Sequence, residues 1–573
     1  MFCYQCEQTS KGVGCQTQGV CGKDETTAAL HDLLTHAVKG ISVYAHHARL
    51  LGAADLRLRV CDPEVDAFVI QALFATLTNV NFDKGRLVEL IYEAVAMRAA
   101  ARCVYERAAG ESGIAAQQFG GAAVWIAADT VEGLIAKGLT VSLPARILYE
   151  SKEIANLQEL VLYGIKGVAA YAAHALALGA GDPKSFGKIH EVLCFLAQEG
   201  QSVAELLAMA LSVGELNYRV MEILDKAHTD TFGHPEPTKV RLGARKGKAI
   251  LVSGHDLHDL YAVLLQTEGT GIQVYTHGEM LPAHGYPKLK AFTHLAGNYG
   301  GAWMDQAAEF EAFPGAILMT SNCMQQPKAT YNDRIFTSSA VNWPGVQHVE
   351  GTKFVPVLGA ALKASGFEKD GSDEEITVGF GHQAVLGVAN TVVDAVKSGA
   401  LRHLFLIAGC DGARSQRSYY TELAKAVPED CAILTLACGK YRFNKLQLGE
   451  VAGLPRLMDM GQCNDAYSAV QVTLALAKAL ECGVNDLPLS IVLSWYEQKA
   501  IAVVLTLLWL GVKGMRIGPT LPAFLSPGVL ALLRENYNLM AITTPEKDLA
   551  AVLHGQREFN PEALLSGGLS ARL

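Results

Sequence analysis

Residues 30–52, LHDLLTHAVKGISVYAHHARLLG, and residues 157–179, LQELVLYGIKGVAAYAAHALALG, align without a gap at an offset of 127. Ten of the 23 positions are identical, among them Lys39/Lys166, Gly40/Gly167, Tyr44/Tyr171 and His47/His174. In the first copy Leu30, Leu33, Leu34, Ala37, Val38 and Ile41 recur with the 3.6-residue period of a helix buried along one face. Further helical patterns come after each copy, over 68–80 and 86–107 and over 186–197 and 203–213. Two copies are too few for a solenoid, so the first 225 residues or so predict two related helical bundles packed together. The paired histidines read as packing or surface positions rather than ligands.

Outward from the duplication the texture changes. A Pro/Gly/basic stretch, HTDTFGHPEPTKVRLGARKGK (228–248), interrupts the helical pattern and reads as a connection between domains. Beyond it, short β-branched runs alternate with helical segments, as parallel βαβ units do. A charged loop, GFEKDGSDEE (366–375), divides this half again. The expected units are 1–228, 249–365 and 376–573. The fold class is therefore multidomain α plus α/β, with a pair of helical bundles followed by two Rossmann-like parallel α/β domains and a site in their cleft.

Composition agrees. Of 573 residues, 50% are apolar, 18% are charged and 55 are glycine, which excludes a disordered chain. With 48 basic against 57 acidic residues the net charge is −9, which argues against nucleic acid or anionic membrane as a partner. The opening Met-Phe-Cys-Tyr-Gln-Cys has neither a basic nor an apolar region, so no export signal is expected. The longest apolar stretch read from the sequence, 500–512, is too short for a bilayer. The expectation is a soluble, cytoplasmic protein whose 13 cysteines are reduced thiols or metal ligands.

Each strand candidate of the second half runs directly into a possible metal ligand. AILVSG leads to His255, IQVYTHG to Glu279, AILMTSN to Cys323, HLFLIAG to Cys410 and AILTLA to Cys438. LMDM leads to Cys463, and LSIVLSWY to Glu497 and Lys499. Ligands of open parallel sheets bind beyond the carboxyl ends of the strands. Each position alone has an ordinary reading, a buried cysteine or a glutamate near a helix start. Their recurrence at equivalent places argues for one site. Cys431, at the opposite end of its strand, is assigned to packing, as are Cys61, Cys103, Cys194 and Cys482 in helical patterns. Seven donors exceed the four of a tetrahedral zinc. Mixed sulfur, nitrogen and oxygen donors suit a multinuclear iron centre.

Cys3, Cys6, Cys15 and Cys21 form a C-x2-C-x8-C-x5-C loop whose glycines at 12, 14, 19 and 22 let the backbone curl round a cluster. Zinc is the alternative, but the second half is not a C-x2-C knuckle. Gly379-x-Gly381-x-x-Ala384 matches a loose dinucleotide fingerprint after a very short strand, and Glu268 reads as a helix-end residue.

Taken in order, MFCYQCEQTSKGVGC…GVCGK, SGHDL, YTHGEMLPAH, SNCMQQP, GCDGARSQR, LACGKYRFN and SWYEQKA resemble the hybrid-cluster proteins, also called prismane proteins or hydroxylamine reductases. The motifs span residues 1–499. The resemblance implies an N-terminal domain of two three-helix bundles and two α/β domains. It implies that Cys3, Cys6, Cys15 and Cys21 hold a [4Fe-4S] cluster, since the short x8 gap is similar to that branch, whereas longer gaps go with [2Fe-2S]. It implies a hybrid [4Fe-2O-2S] cluster on His255, Glu279, Cys323, Cys410, Cys438, Cys463 and Glu497, with Cys410 as a persulfide. The implied activity is reduction of hydroxylamine to ammonia and water, with a small nitrogenous substrate, an unidentified redox partner protein as electron donor, and a place in nitrogen metabolism and nitrosative stress. Nitric oxide reduction to nitrous oxide, or a redox or nitrosylation sensor role, are the alternatives. Carbon monoxide dehydrogenase, a distant look-alike, is the weaker rival, because the chain has a single N-terminal quartet. His255, Glu279 and Lys499 are the candidate catalytic groups. Lys499 reads either as a proton relay or as a solvated helix start.

Overall fold

The computed structural model describes residues 1–554; the expected C-terminal unit extends beyond them. Each copy of the duplication folds as a long helix, a short helix and a long helix. The first is α1 (Glu25–Ala54), α2 (Pro63–Ala75) and α3 (Lys84–Glu111). The second is α4 (Lys152–Ala177), α5 (Pro183–Phe195) and α6 (Val203–Phe232). A side chain caps the start of all six: Asp24, Asp62, Asp83, Ser151, Asp182 and Ser202 each accept from a backbone N–H of the first turn. Long helices of one copy pair with each other, but the short ones cross over, α5 packing on α1 and α2 on α4. Neither bundle is complete without the other copy.

α4 corrects the reading of apolar stretches. By length and composition it is apolar enough to cross a membrane, yet 89% of its apolar window is buried inside the protein. A helix apolar all round needs cover all round, and α2, α6 and α7 (Gln498–Trp509) supply it. Gly167 allows the contact with α7: a Cβ there would lie 2.6 Å from the Gln498 carbonyl oxygen. At the duplicate position, a Cβ on Gly40 would lie 2.0 Å from the carbonyl oxygen of Ala122.

The second half contains two six-stranded sheets, each parallel throughout. Before them, β1 (Thr238–Arg241) lies in the expected connection, which also contains the end of α6. The first sheet is built from β2 (Ala249–Ser253), β3 (Gln273–His277), β4 (Leu295–Asn298), β5 (Ala316–Met319), β6 (Ile335–Ser338) and β7 (Gln347–Val349). Its order is β4-β3-β2-β5-β6-β7. β8 (Glu375–Val378) pairs antiparallel with β1. The glycines at 379 and 381 thus succeed a two-stranded antiparallel ribbon, not a parallel βα unit, so the dinucleotide fingerprint lacks its context.

The second sheet uses β9 (His403–Gly409), β10 (Cys431–Thr435), β11 (Leu457–Asp459), β12 (Leu489–Ser494), β13 (Arg516–Gly518) and β14 (Met540–Ala541). Its order is β11-β10-β9-β12-β13-β14. Its inner strands are near-continuous apolar runs, as burial on both faces requires. Two cysteines fall outside the helices expected for them. Cys61 is exposed in the segment before α2, and Cys482 comes after helix Ala466–Ala479 in a bend.

Candidate metal centre

β2 ends at Ser253, and Gly254 turns the chain with φ +116° so that His255 faces the cleft. Its backbone N–H donates to Ser321 Oγ (2.8 Å), and the same hydroxyl lies 3.0 Å from Nδ1. That contact leaves Nε2 as the nitrogen available for ligation. Nε2 lies 3.7 Å from Glu279 Oε2. The Cys463 N–H donates to that oxygen (2.8 Å), and ligand atoms of His255, Glu279 and Cys463 all lie within 4.8 Å of one another. Gln462 Nε2 donates to the carbonyl oxygens of His255 (3.1 Å) and Glu279 (2.7 Å). One amide from the second sheet therefore fastens two loops of the first.

The other donors stand at the same strand ends. Cys323 adopts φ +72°, a left-handed conformation that non-glycine residues hold only under constraint. Gln306 Nε2 grips its carbonyl oxygen at 2.6 Å. Cys438 comes directly after Ala437, which is at φ +64°. Cys410 is tied by its N–H to the Ser494 carbonyl (2.6 Å), and its carbonyl accepts from Arg417 Nη1 (3.2 Å). Glu497 caps α7 by accepting from the Lys499 N–H (3.0 Å).

Electrostatics favour a cationic group here. Burial pushes the Cys323 and Cys438 thiols well above the ordinary range and Cys463 to about 12. Burial also raises Glu279 and Glu497, against the pull of Lys499 on both. Burial and the neighbouring Lys499 hold His255 well below its usual value, as the neutral imidazole that ligates metal. Glu279 Oε1 is buried without a hydrogen-bond partner. Six acidic donors with so few counter-charges are costly alone and fit a multivalent metal group. Mixed thiolate, imidazole and carboxylate chemistry fits a multinuclear iron–sulfur group better than a single zinc.

Lys499 is 2% exposed, so the solvated helix start is excluded. Its Nζ donates to Asn322 Oδ1 (2.8 Å), lies 3.0 Å from His255 Nε2 and 3.9 Å from Glu497 Oε1.

The N-terminal quartet lies on one small loop. Cys3 and Cys15 exchange backbone hydrogen bonds of 3.0 and 2.8 Å, and the Ser10 N–H points at Cys15 Sγ (3.4 Å). All four thiols are free, and burial first, then the charges of Cys3, Cys21 and Cys15, push the Cys6 thiol well above the ordinary range. Cys6 packs in one cluster with Trp303, Tyr496, Cys323, Cys410 and Cys438. The Trp303 and Tyr496 rings, 4.6 Å apart, thus lie where loop and cleft meet. Glu7, with no exposed side-chain surface, pairs with Arg417 (2.9 Å) and Arg414 (2.6 Å), and its N–H donates to the Tyr496 carbonyl (2.9 Å).

Sequence reasoning missed these supports. Asn322 and Ser321 sit in SNCMQQP, and Arg414 and Arg417 in GCDGARSQR, so their position beside a donor was the available signal. His174, read as packing or surface, is buried and stacks on His255 (6.2 Å, 20°) with Nδ1 3.8 Å from Asp256. Its duplicated neighbour Tyr171 faces Cys463.

The chain matches the Prismane/CO dehydrogenase family over residues 1–550. It belongs to that family. Among its prismane-family relatives, the hydroxylamine reductase of Geobacter sulfurreducens is 50% identical, covering 96% of this chain and 99% of that one. That of Burkholderia ambifaria is 53% identical, with 96% and 99% covered. Carbon monoxide dehydrogenase IV from Carboxydothermus hydrogenoformans shares the fold at a TM-score of 0.55 and 14% identity, covering 96% of this chain and 90% of that one.

Proposed function

We propose that this protein reduces hydroxylamine to ammonia and water with two electrons and two protons. The reading is carried by the relatives named hydroxylamine reductase, about half identical over nearly their whole length. In this reading Cys3, Cys6, Cys15 and Cys21 hold a [4Fe-4S] cluster. His255, Glu279, Cys323, Cys410 as persulfide, Cys438, Cys463 and Glu497 hold a hybrid [4Fe-2O-2S] cluster between the units 249–365 and 376–573, beside 1–228. When bound, these groups supply electrons and a Lewis-acidic position for the substrate. Electrons come from a separate redox partner protein, and the place of action is the cytoplasm, in nitrogen metabolism under nitrosative stress.

The chain's own residues handle protons and position. His255 Nε2 cannot both ligate a metal and accept from Lys499, so with the group bound Lys499 Nζ would be held by Asn322 alone. That ammonium then stands beside the donors with a proton to deliver. Glu279, with Oε1 unpartnered, is the second proton-handling group.

One observation favours nitric oxide as a second substrate. An apolar cavity of about 70 Å³ reaches Tyr171, Cys410 and Cys463 and is otherwise walled by residues such as Leu406, Val470 and Leu507. Such a wall suits an uncharged diatomic molecule. Anaerobic turnover with a chemical reductant and hydroxylamine, nitric oxide or carbon monoxide tests both readings. Ammonium formed one-for-one with hydroxylamine consumed is expected. Iron-loaded protein that forms no ammonium refutes the first reading, and failure to form nitrous oxide refutes the second.

A further inference from the structure

The duplication leaves one shared feature outside the candidate centre. On α1, Asp32, His36 and Lys39 fall at i, i+4 and i+7 and share a face. At the offset of 127, α4 carries Glu159, Tyr163 and Lys166 in the same places. All six line a single cavity of about 750 Å³ between the two helices. Cys3 forms part of its wall, and Tyr149, 89% exposed, part of its rim.

Several charges on this wall already have partners. Glu159 pairs with Arg146, Glu150 accepts from Gln158 (3.1 Å), and Lys23 Nζ lies 2.9 Å from His31 Nδ1. Lys39 and Lys166 have neither a hydrogen bond nor an ion pair among the described residues. Lys166 is only 5% exposed. Lys39 is half-buried, and two unpaired ammonium groups held largely out of water are costly unless a counter-charge joins them. Burial, with nearby cations, accordingly pulls Lys39 down to about 7 and Lys166 to about 8. Burial and Glu159 push Asp32 up to about 7, so it opposes an incoming anion less than an ordinary aspartate does. The volume is that of a small-ligand site.

We propose that this cavity binds a small oxyanion, inorganic or carboxylate, between the Lys39 and Lys166 ammonium groups. The duplicated helix face thereby makes a pseudo-symmetric clamp, one lysine from each copy, beside the first cysteine of the N-terminal loop.

Calorimetric titration of the full-length, iron-loaded protein with inorganic phosphate, sulfate and malonate tests it, with chloride at matched ionic strength as reference. Malonate against the two inorganic ions separates the sources. Saturable one-to-one binding of at least one oxyanion is expected, weakened about tenfold or more by Lys39→Met and by Lys166→Met. Absence of saturation with all three, or affinities unchanged in folded variants, overturns the proposal. Should the variants not fold, wild-type crystals soaked in selenate decide through anomalous scattering. A peak between the two lysines supports the site, and peaks only elsewhere, or none, overturn it.

Discussion

Replacing Lys499 by methionine keeps the unbranched apolar stem of a residue that is 2% exposed and removes its charged tip. The structure sets the size of the effect. Lys499 Nζ stands 3.9 Å from a Glu497 oxygen. At that distance, with the effective dielectric usual near protein charges, a unit pair interacts by about 4 kcal/mol. Negative charge developing on the departing oxygen at similar range loses about the same stabilisation, or about a thousandfold in rate. General-acid contributions of about 10²–10⁴ bracket that figure. The structural cost is smaller, because the substitution strands Asn322 Oδ1, whose donor is Lys499. One stranded buried acceptor costs about 1–3 kcal/mol, which a protein of this size survives. Hydroxylamine turnover under reductant is measured on variant protein whose iron content and electron paramagnetic resonance signals match the wild type. A large drop in kcat with folding intact is expected. An unchanged rate and pH profile would refute the reasoning and leave Lys499 as a packing residue.

Four further outcomes are expected. Cys6→Ser should remove one iron–sulfur signal and keep the other; loss of both with the fold intact rejects two separate sites. Glu497→Gln removes an oxygen donor's charge without changing its size, so turnover should collapse while the N-terminal signal persists; normal iron content and rate would exclude it as a ligand. Gly167→Ala places a Cβ 2.6 Å from the Gln498 oxygen and shifts α7, which carries Lys499. It should cost about 1–3 kcal/mol of stability and lower kcat, whereas Gly40→Ala, crowding Ala122, should lower stability but spare kcat. Equal kcat losses in both glycine variants would show that α7 is not the route. Lastly, burial holds His228 at about 3, below its unfolded value, so its neutral form is favoured on folding. The resulting stability is complete above about pH 6.5 and declines below it by about 1.4 kcal/mol per pH unit, down to the folded value. Thermal unfolding at pH 7 and 5.5 should therefore show a smaller acid loss for His228→Leu than for wild type, and parallel losses would dismiss the idea.

The seven candidate donors stand out in the sequence because strands buried on both faces are unbroken apolar runs, so a thiol, imidazole or carboxylate just after such a run is conspicuous. β13 and β14, of three and two residues at one side of the second sheet, left no such pattern. Cys61 and Cys482 were misplaced because helical periodicity was extended past the Asp62-Pro63 start of α2 and past the end of helix Ala466–Ala479. The crossing-over of α2 and α5 depends on how the copies pack, which one copy's periodicity does not encode. Ser321, Asn322 and Gln462 become partners of donors only when loops distant in sequence meet. The ion pairs of the buried Glu7 with Arg414 and Arg417, 407 and 410 residues away in sequence, were hidden for the same reason.

The duplicated positions show why identity between copies reports packing before function. Tyr44 and His47 join an aromatic group with Tyr105 and Phe119, at ring separations of 4.5–6.2 Å. Their equivalents Tyr171 and His174 reach Cys463 and His255 instead. The same helix face, with the same residues, therefore does two jobs. What differs is the cover: α1 is closed by helices and loops of the N-terminal half, whereas α4 is covered in addition by α7 and by the loops that carry His255 and Cys463. A large aromatic ring and an imidazole at these spacings suit a tightly packed core in either copy. Only the copy that faces the sheets' carboxyl ends can turn that packing into the positioning of a donor. Lys39 and Lys166 escape this asymmetry because they lie on the face where the two copies meet each other, so the same residue does the same work twice.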